Sequence, residues 1–212
     1  SLKRLHRDKI DYYQLHSAKL EHLQNGECIE AMEQLKSEGK IRYWGISLNT
    51  FNPYLEGEYL IEKNLADGFQ LVLNIINQRS LKLIKTASEK DYGIIARIPL
   101  QFGLLTGKFN KETRFSKNDH RFFRLEPKFL SDLLDALDDV WHLAEKYEVD
   151  KTTFALSFIL NHKGVSTVIP GIKTPEQTEK NTKAIISISE EDINFIHQIF
   201  EERFNVLVDK MV

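Results

Sequence analysis

Residues 10–46, IDYYQLHSAKLEHLQNGECIEAMEQLKSEGKIRYWGI, place a short apolar run, an amphipathic segment and a second apolar run in succession. The runs at 10–16 and 41–46 are rich in branched and aromatic residues and do not alternate cleanly with polar ones. Such runs suit strands covered on both faces, as in a parallel sheet packed under helices. Between them, residues 27–37 set Ile29, Met32 and Leu35 at helical spacing, and Gly39 stops the helix. Strand, helix, strand is the unit a parallel sheet requires, because parallel neighbours need a long crossover. The same grammar continues outward, with further strands read at 69–74, 93–98 and 165–170. Asn52-Pro53 reads as an N-cap followed by proline at the first helical position. Residues 80–90 carry Leu81, Ile84 and Ala87 on one stripe. Thr174-Pro175-Glu176-Gln177 forms a capping box, and residues 189–192 open a last helix with Ile193, Ile196, Ile199 and Phe200 on its stripe. The first four strand starts lie roughly 25–30 residues apart, the size of a βα unit. The pattern predicts an α/β fold with a parallel sheet and helices outside it. After the fourth strand it breaks: residues 101–128 form a long polar and aromatic loop, and helices around 130–147 and 152–162 precede the fifth strand. Long loops at the carboxyl ends of such strands are where sites are built.

The chain has 212 residues, 42% apolar and 28% charged, with a net charge of −2. These values fit a globular domain and exclude a disordered tail, a coiled coil, a collagen and a dedicated nucleic-acid binder. No run approaches the roughly 18 apolar residues of a membrane span, and no basic-then-apolar signal opens the chain. Cys28 is the only cysteine, which precludes an intrachain disulfide or a thiolate metal site and leads us to expect the reducing cytoplasm. His6, His22, His120, His142, His162 and His197 share no metal spacing and read as surface or structural residues. Asp135, Asp138 and Asp139 read as a solvated helix face. Five strands fall short of the eight in a closed (β/α)8 barrel, so the pattern admits either an open doubly wound sheet or part of a barrel.

A string of motifs narrows this. Ser1-Leu2-Lys3-Arg4-Leu5 is followed by Asp8-Lys9-Ile10-Asp11-Tyr12-Tyr13-Gln14-Leu15-His16, then by Gly39-Lys40-Ile41-Arg42-Tyr43-Trp44-Gly45-Ile46-Ser47. Gln70 with Asn74 and Asn77 comes next, then Pro99-Leu100 with Gly103-Leu104-Leu105-Thr106-Gly107-Lys108. The series closes with Val168-Ile169-Pro170-Gly171-Ile172-Lys173-Thr174-Pro175-Glu176-Gln177 and Asn181. In this order they resemble the aldo-keto reductase superfamily from the end of its third helix onward. The resemblance implies a partial (β/α)8 TIM barrel whose five strands correspond to the fourth to eighth βα units, with NADPH lying across the carboxyl ends. It also implies that the first three strands, and an Asp, a Tyr acid and a Lys of the family's four catalytic residues, lie outside the match. We therefore expect residues 1–212 to form a single aldo-keto reductase-like domain, incomplete at its N-terminus. The implied activity is NADP-dependent reduction of aldehydes or ketones, with the 212 residues alone catalytically weak or inactive. The other reading is a non-catalytic NADP-binding or interaction module. Its bare sheet edges would pair with a second copy or with a complementary N-terminal fragment. Neither reading calls for a nucleic-acid or membrane partner.

The resemblance also assigns residues. His16, ending the first strand, corresponds to the fourth catalytic residue, a neutral imidazole that hydrogen-bonds the substrate carbonyl; the plain alternative is a strand-end histidine satisfied by backbone. Ser47, Asn49 and Gln70 correspond to the residues that hold the nicotinamide carboxamide, a group with one acceptor and two donors. The family has Ser-Asn where this chain has Ser47-Leu48-Asn49, and Asn49 equally suits a turn before Asn52-Pro53. Arg97 stands where many members have a stacking Tyr, and its guanidinium suits a ring face, a pyrophosphate or a buried carboxylate. Pro99, Leu100, Gly103 and Leu105 match the segment passing the pyrophosphate, although Gly103 also reads as a turn glycine. Gly171, Lys173, Thr174, Gln177 and Asn181 combine a strand end, a cation and a helix start, which suits a 2′-phosphate and adenosine and favours NADP over NAD. Lys180 stands where the family has Glu, with Glu179 displaced by one. Residues 118–123, Asn-Asp-His-Arg-Phe-Phe, resemble a segment of one family branch and read as either pocket wall or loop packing.

Overall fold

A computed structural model of the chain describes residues 1–211. Its strands are β1 (Ile10–His16), β2 (Ile41–Ser47), β3 (Gly68–Val72), β4 (Gly93–Arg97) and β5 (Thr167–Ile169). The main helices are α1 (Leu20–Asn25), α2 (Glu27–Ser37), α3 (Tyr54–Glu62), α4 (Leu81–Ser88), α5 (Pro127–Lys146), α6 (Lys151–Leu160), α7 (Pro175–Thr182) and α8 (Glu190–Ile199). One five-stranded sheet runs in the order β1-β2-β3-β4-β5. β1 and β2 are parallel with His16 opposite Ser47, and β2 and β3 are parallel with Ser47 opposite Gln70. A doubly wound sheet reverses its strand order at a switch point, whereas a (β/α) barrel adds each strand beside the last. The sequential order here is that of a barrel, and it settles the choice the apolar pattern left open.

Element boundaries depart from expectation where side chains compete with the ladder. β3 ends at Val72, because Asn74 Oδ1 accepts the amides of Ile76 and Asn77, both at 2.9 Å, and turns the chain. β4 ends at Arg97, since Ile98 takes φ 54. The helix expected at Asn52-Pro53 begins at Tyr54, whose amide donates to Asn52 Oδ1 at 3.3 Å. β5 keeps three residues of the expected six. Neither β1 nor β5 holds a fully buried residue, while β2 and β3 are mostly buried.

The chain divides into two compact units. The first comprises residues 1–71, 79–95 and 163–166, with a core around Trp44, Ile46, Phe69, Leu71 and Ile94. Phe69 stacks on Tyr92 at 4.9 Å, and Asp67 accepts both the Lys36 ammonium, at 3.0 Å, and the Trp44 amide, at 2.9 Å. The second comprises residues 72–78, 96–162 and 167 onward, with a core around Leu133, Leu137, Phe154, Phe158 and Phe204. There Asp192 of α8, almost fully buried, accepts from Lys146 Nζ at 2.8 Å, Tyr147 Oη at 2.6 Å and Ser189 Oγ at 2.9 Å. The acidic stripe of α5 is less solvated than its composition suggests: Asp135 pairs with Lys111 and Asp139 with Arg203, leaving Asp138 exposed. Among the described residues, no helix is long and apolar enough to cross a membrane, and no three His, Cys, Asp or Glu side chains gather as metal ligands.

Candidate functional site

In the first unit, the parallel register sets His16, Ser47 and Gln70 side by side at the carboxyl ends of β1, β2 and β3. Neighbouring strands lie about 4.8 Å apart, so the row is roughly 10 Å across. His16 is exposed. Ser47 is buried, and its Oγ accepts the amide of Ser17 at 3.0 Å. Gln70 Nε2 donates to Gln14 Oε1 at 3.3 Å. Asn49 lies just beyond β2, where its Oδ1 accepts the amides of Phe51 and Asn52, at 2.9 and 3.0 Å. The turn expected of Asn49 is therefore present, and the residue is exposed.

In the second unit, a cavity of about 1080 Å³ brings together Pro99, Leu100 and Gly103 with Gly171, Lys173, Gln177 and Asn181. Two backbone features shape it. Gln101, Phe102 and Gly103 take φ values of 41, 57 and 94 in succession, a left-handed run that only the glycine adopts without strain. At the other wall, Thr174 Oγ1 accepts the amide of Gln177 at 3.3 Å, while Gln177 Oε1 accepts the amide of Lys173 at 2.6 Å. The capping box thus closes one residue early, and this fixes the turn that presents Lys173. Thr174 and Leu105 are not part of the lining: Thr174 caps α7, and Leu105 is fully buried in the core. Arg97 is half-buried at the end of β4, where burial lowers the pKa of its guanidinium.

The lining also contains Lys108 and Thr152, which motif reading did not single out as ligand contacts, together with Lys180 and the 118–121 segment. That segment both lines the cavity and packs the loop. Asp119 accepts from Arg121 Nε at 2.9 Å, and hydrogen bonds from that guanidinium hold the carboxyl far below the usual carboxylate range. Arg121 in turn lies over the Phe115 ring at 4.7 Å, while Phe102 meets His120 edge-on at 5.2 Å. Because Arg121 offsets Asp119 and Asp150 pairs with Lys180 at 3.4 Å, it is Lys108 and Lys173 that leave the wall positively charged. Two polar atoms on lining residues, Thr152 Oγ1 and Asn181 Nδ2, are buried without a hydrogen-bond partner. A polyanion carrying a hydrogen-bonding ring fits such a wall.

The family model described as "Aldo/keto reductase family" matches residues 1–201. The chain belongs to the aldo/keto reductase family. It is 30% identical to the uncharacterized oxidoreductase YqkF of Bacillus subtilis, over 91% of this chain and 61% of that protein. It is 28% identical to the NADH-specific methylglyoxal reductase of Escherichia coli, over 95% of this chain and 62% of that one. Among solved structures, the glycerol dehydrogenase AKR11B4 from Gluconobacter oxydans superposes with a TM-score of 0.77 at 27% identity, over 95% of this chain and 62% of that one. An aldo-keto reductase from Bacillus halodurans, at 24% identity and a TM-score of 0.74, shares the fold. The chain thus spans about three fifths of the length of these aldo/keto reductase relatives.

Proposed function

We propose that the chain is the NADP(H)-holding part of an aldo-keto reductase for aldehydes or ketones, its strands β1 to β5 standing as the fourth to eighth of the barrel. The observation that carries this is the cavity lined by Lys108 and Lys173, whose lining residues also carry two orphaned polar atoms. Lys173 would hold a 2′-phosphate, with Lys180 beside it in its pair with Asp150 and with Gln177 and Asn181 on the adenosine side. Gly171 lines the same cavity. Pro99, Leu100 and Gly103 would run along the pyrophosphate, braced from the core by Leu105, while the Thr174 cap holds Lys173 in place. Arg97 offers a planar cation for a ring face or a pyrophosphate. Taken by itself, the row in the first unit suits a carboxamide at Ser47, Asn49 and Gln70, and His16 suits a hydrogen bond to a carbonyl oxygen. When bound, the reduced nicotinamide supplies a hydride for the carbonyl carbon. NADPH is proposed over NADH because Lys173 offers a second phosphate a charged partner that a ribose hydroxyl would not need.

The return of a proton to the carbonyl oxygen requires an acid beside it. Tyr12 does not serve: burial, reinforced by the Asp67 charge, pushes its phenol well above its ordinary range, and it lies against Gly45 and Gly68. The 212 residues by themselves are therefore expected to bind NADPH and to reduce carbonyls slowly or not at all. The check is NADPH fluorescence during titration, followed by an absorbance assay over a panel of aldehydes and ketones. Saturable binding with negligible turnover supports the proposal, whereas turnover of about 1 s⁻¹ or faster shows that a complete acid-base set is present. Binding without turnover also suits the second reading, a module that pairs through its sheet edges, which the thin cover on β1 and β5 favours. Both readings place the protein in the cytoplasm, in keeping with its single cysteine.

A further inference from the structure

We propose that His162 and His197 form a binding site for a divalent transition-metal ion of the zinc type, held between the end of α6 and α8. Both residues belong to the second unit, and the site is independent of the nucleotide cavity and of its reading. Each imidazole is fixed through Nδ1. His162 Nδ1 donates to the Phe158 carbonyl at 2.7 Å. Gln78 Nε2 donates to the carbonyls of Ile75 and Ile196, at 2.9 and 3.3 Å, so Gln78 Oε1 accepts from His197 Nδ1. With the ring proton committed to Nδ1, each neutral imidazole carries its lone pair on Nε2. His162 Nε2 is buried and has no hydrogen-bond partner. Neither ring can satisfy the other, since two lone pairs make no hydrogen bond. An imidazole whose Nδ1–H is held by a carbonyl and whose Nε2 is bare is the arrangement of a metal ligand with its outer-shell acceptor.

The spacing agrees. A zinc ion stands about 2.1 Å from its imidazole nitrogen, and hence roughly 3.2 Å from the ring centre. Two rings around a tetrahedral ion therefore have centres about 5.2 Å apart. Those of His162 and His197 are 5.3 Å apart, with the ring planes at 61°. The fully buried Phe158 ring meets His162 edge-on at 4.7 Å and lies 6.0 Å from His197, an apolar backing for the pair. Neutral imidazole suits zinc, copper and nickel, whereas magnesium and calcium take oxygen ligands. Because His197 is only half-buried, water can complete the four-coordinate shell. The two histidines stand on separate elements far apart in the chain, so no local spacing marks them. A bound ion would staple the end of α6 to α8.

Calorimetric titration of the 212-residue chain with Zn²⁺, after treatment with a chelator, tests this without reference to turnover. One site with a dissociation constant below about 100 µM is expected. The melting temperature should rise by about 5 °C at a hundredfold excess of zinc over that constant. His162→Gln and His197→Gln should each weaken binding about tenfold or more and remove that rise. X-ray absorption at the zinc edge of the loaded parent should show two imidazole nitrogens with oxygens completing the shell, a readout that stands even where a variant fails to fold. The proposal is overturned if the parent binds zinc more weakly than about 100 µM, or if either folded variant binds it less than about tenfold more weakly than the parent. It is equally overturned if the absorption spectrum shows fewer than two imidazoles, which marks an adventitious surface ion only.

Discussion

Tyr12 shows how one side chain can dictate its neighbours. Its hydroxyl lies 1.8 Å from where a Cβ on Gly45 would stand and 3.1 Å from the same point on Gly68. The carbonyl oxygen of Gly68 is only 2.3 Å from that Gly45 position, so rotating the tyrosine away would not make room. Gly45→Ala is accordingly expected to cost about 2–3 kcal/mol, read as a drop in the urea midpoint. The Tyr12 hydroxyl is itself buried without a partner. Tyr12→Phe should therefore leave stability unchanged or raise it by about 1 kcal/mol, and a loss of that size would show that the hydroxyl has a function in the fold. The sequence shows Tyr12 within a strand and Gly45 within another, but not that they meet. Their contact depends on the β1–β2 register, which no local pattern specifies. Asn49 was more legible, since an Asn ahead of Asn52-Pro53 is turn chemistry within a few residues.

Helix starts were read well from sequence because their chemistry is local: Thr174 and Ser189 each cap with the side chain that the pattern named. Two features lay outside that reach. The end of β3 is set by the Asn74 side chain, and residues 200–204 wind as a π-helix that a 3.6-residue period cannot represent. A third is the pairing of α6 and α8 through histidines. Gln78 Nε2 donates to the carbonyls of Ile75 and Ile196, at 2.9 and 3.3 Å, so its Oε1 is the acceptor for His197 Nδ1. His162 Nδ1 donates to the Phe158 carbonyl at 2.7 Å, its Nε2 is buried without a partner, and the two rings stand 5.3 Å apart. Burial lowers both pKa values and so favours the neutral rings; for His162 the neighbouring His197 adds to the effect and the bond to the Phe158 carbonyl opposes it. An unfolded histidine takes up a proton near pH 6.5 while the folded pair resists. Stability should therefore fall as pH drops below about 6.5, and it should stop falling once pH passes below the depressed folded values. Urea midpoints at pH 7.5 and pH 5 check this. A clear loss at pH 5 that shrinks in a His162→Gln/His197→Gln variant is expected, and an equal loss in both proteins would place the effect elsewhere.

At the scale of the molecule, the parallel α/β class follows from apolar runs at regular spacing, and the barrel-type winding from the strand order, which sequence alone leaves open. The lysine-bearing turn at Lys173 was legible because a strand end, a cation and a capped helix start are adjacent in the chain. Lys108 and Thr152 were not, because they reach the same cavity from segments tens of residues away. The central claim is that this cavity is built for a nucleotide with an additional phosphate. The most direct test is the dissociation constant of NADPH against that of NADH, measured by calorimetry on the parent and on Lys173→Glu. The parent should bind NADPH at least about tenfold more tightly than NADH, and Lys173→Glu should abolish that preference while leaving NADH binding nearly unchanged. Equal affinity for the two nucleotides in the parent, or a preference that survives Lys173→Glu, would contradict it.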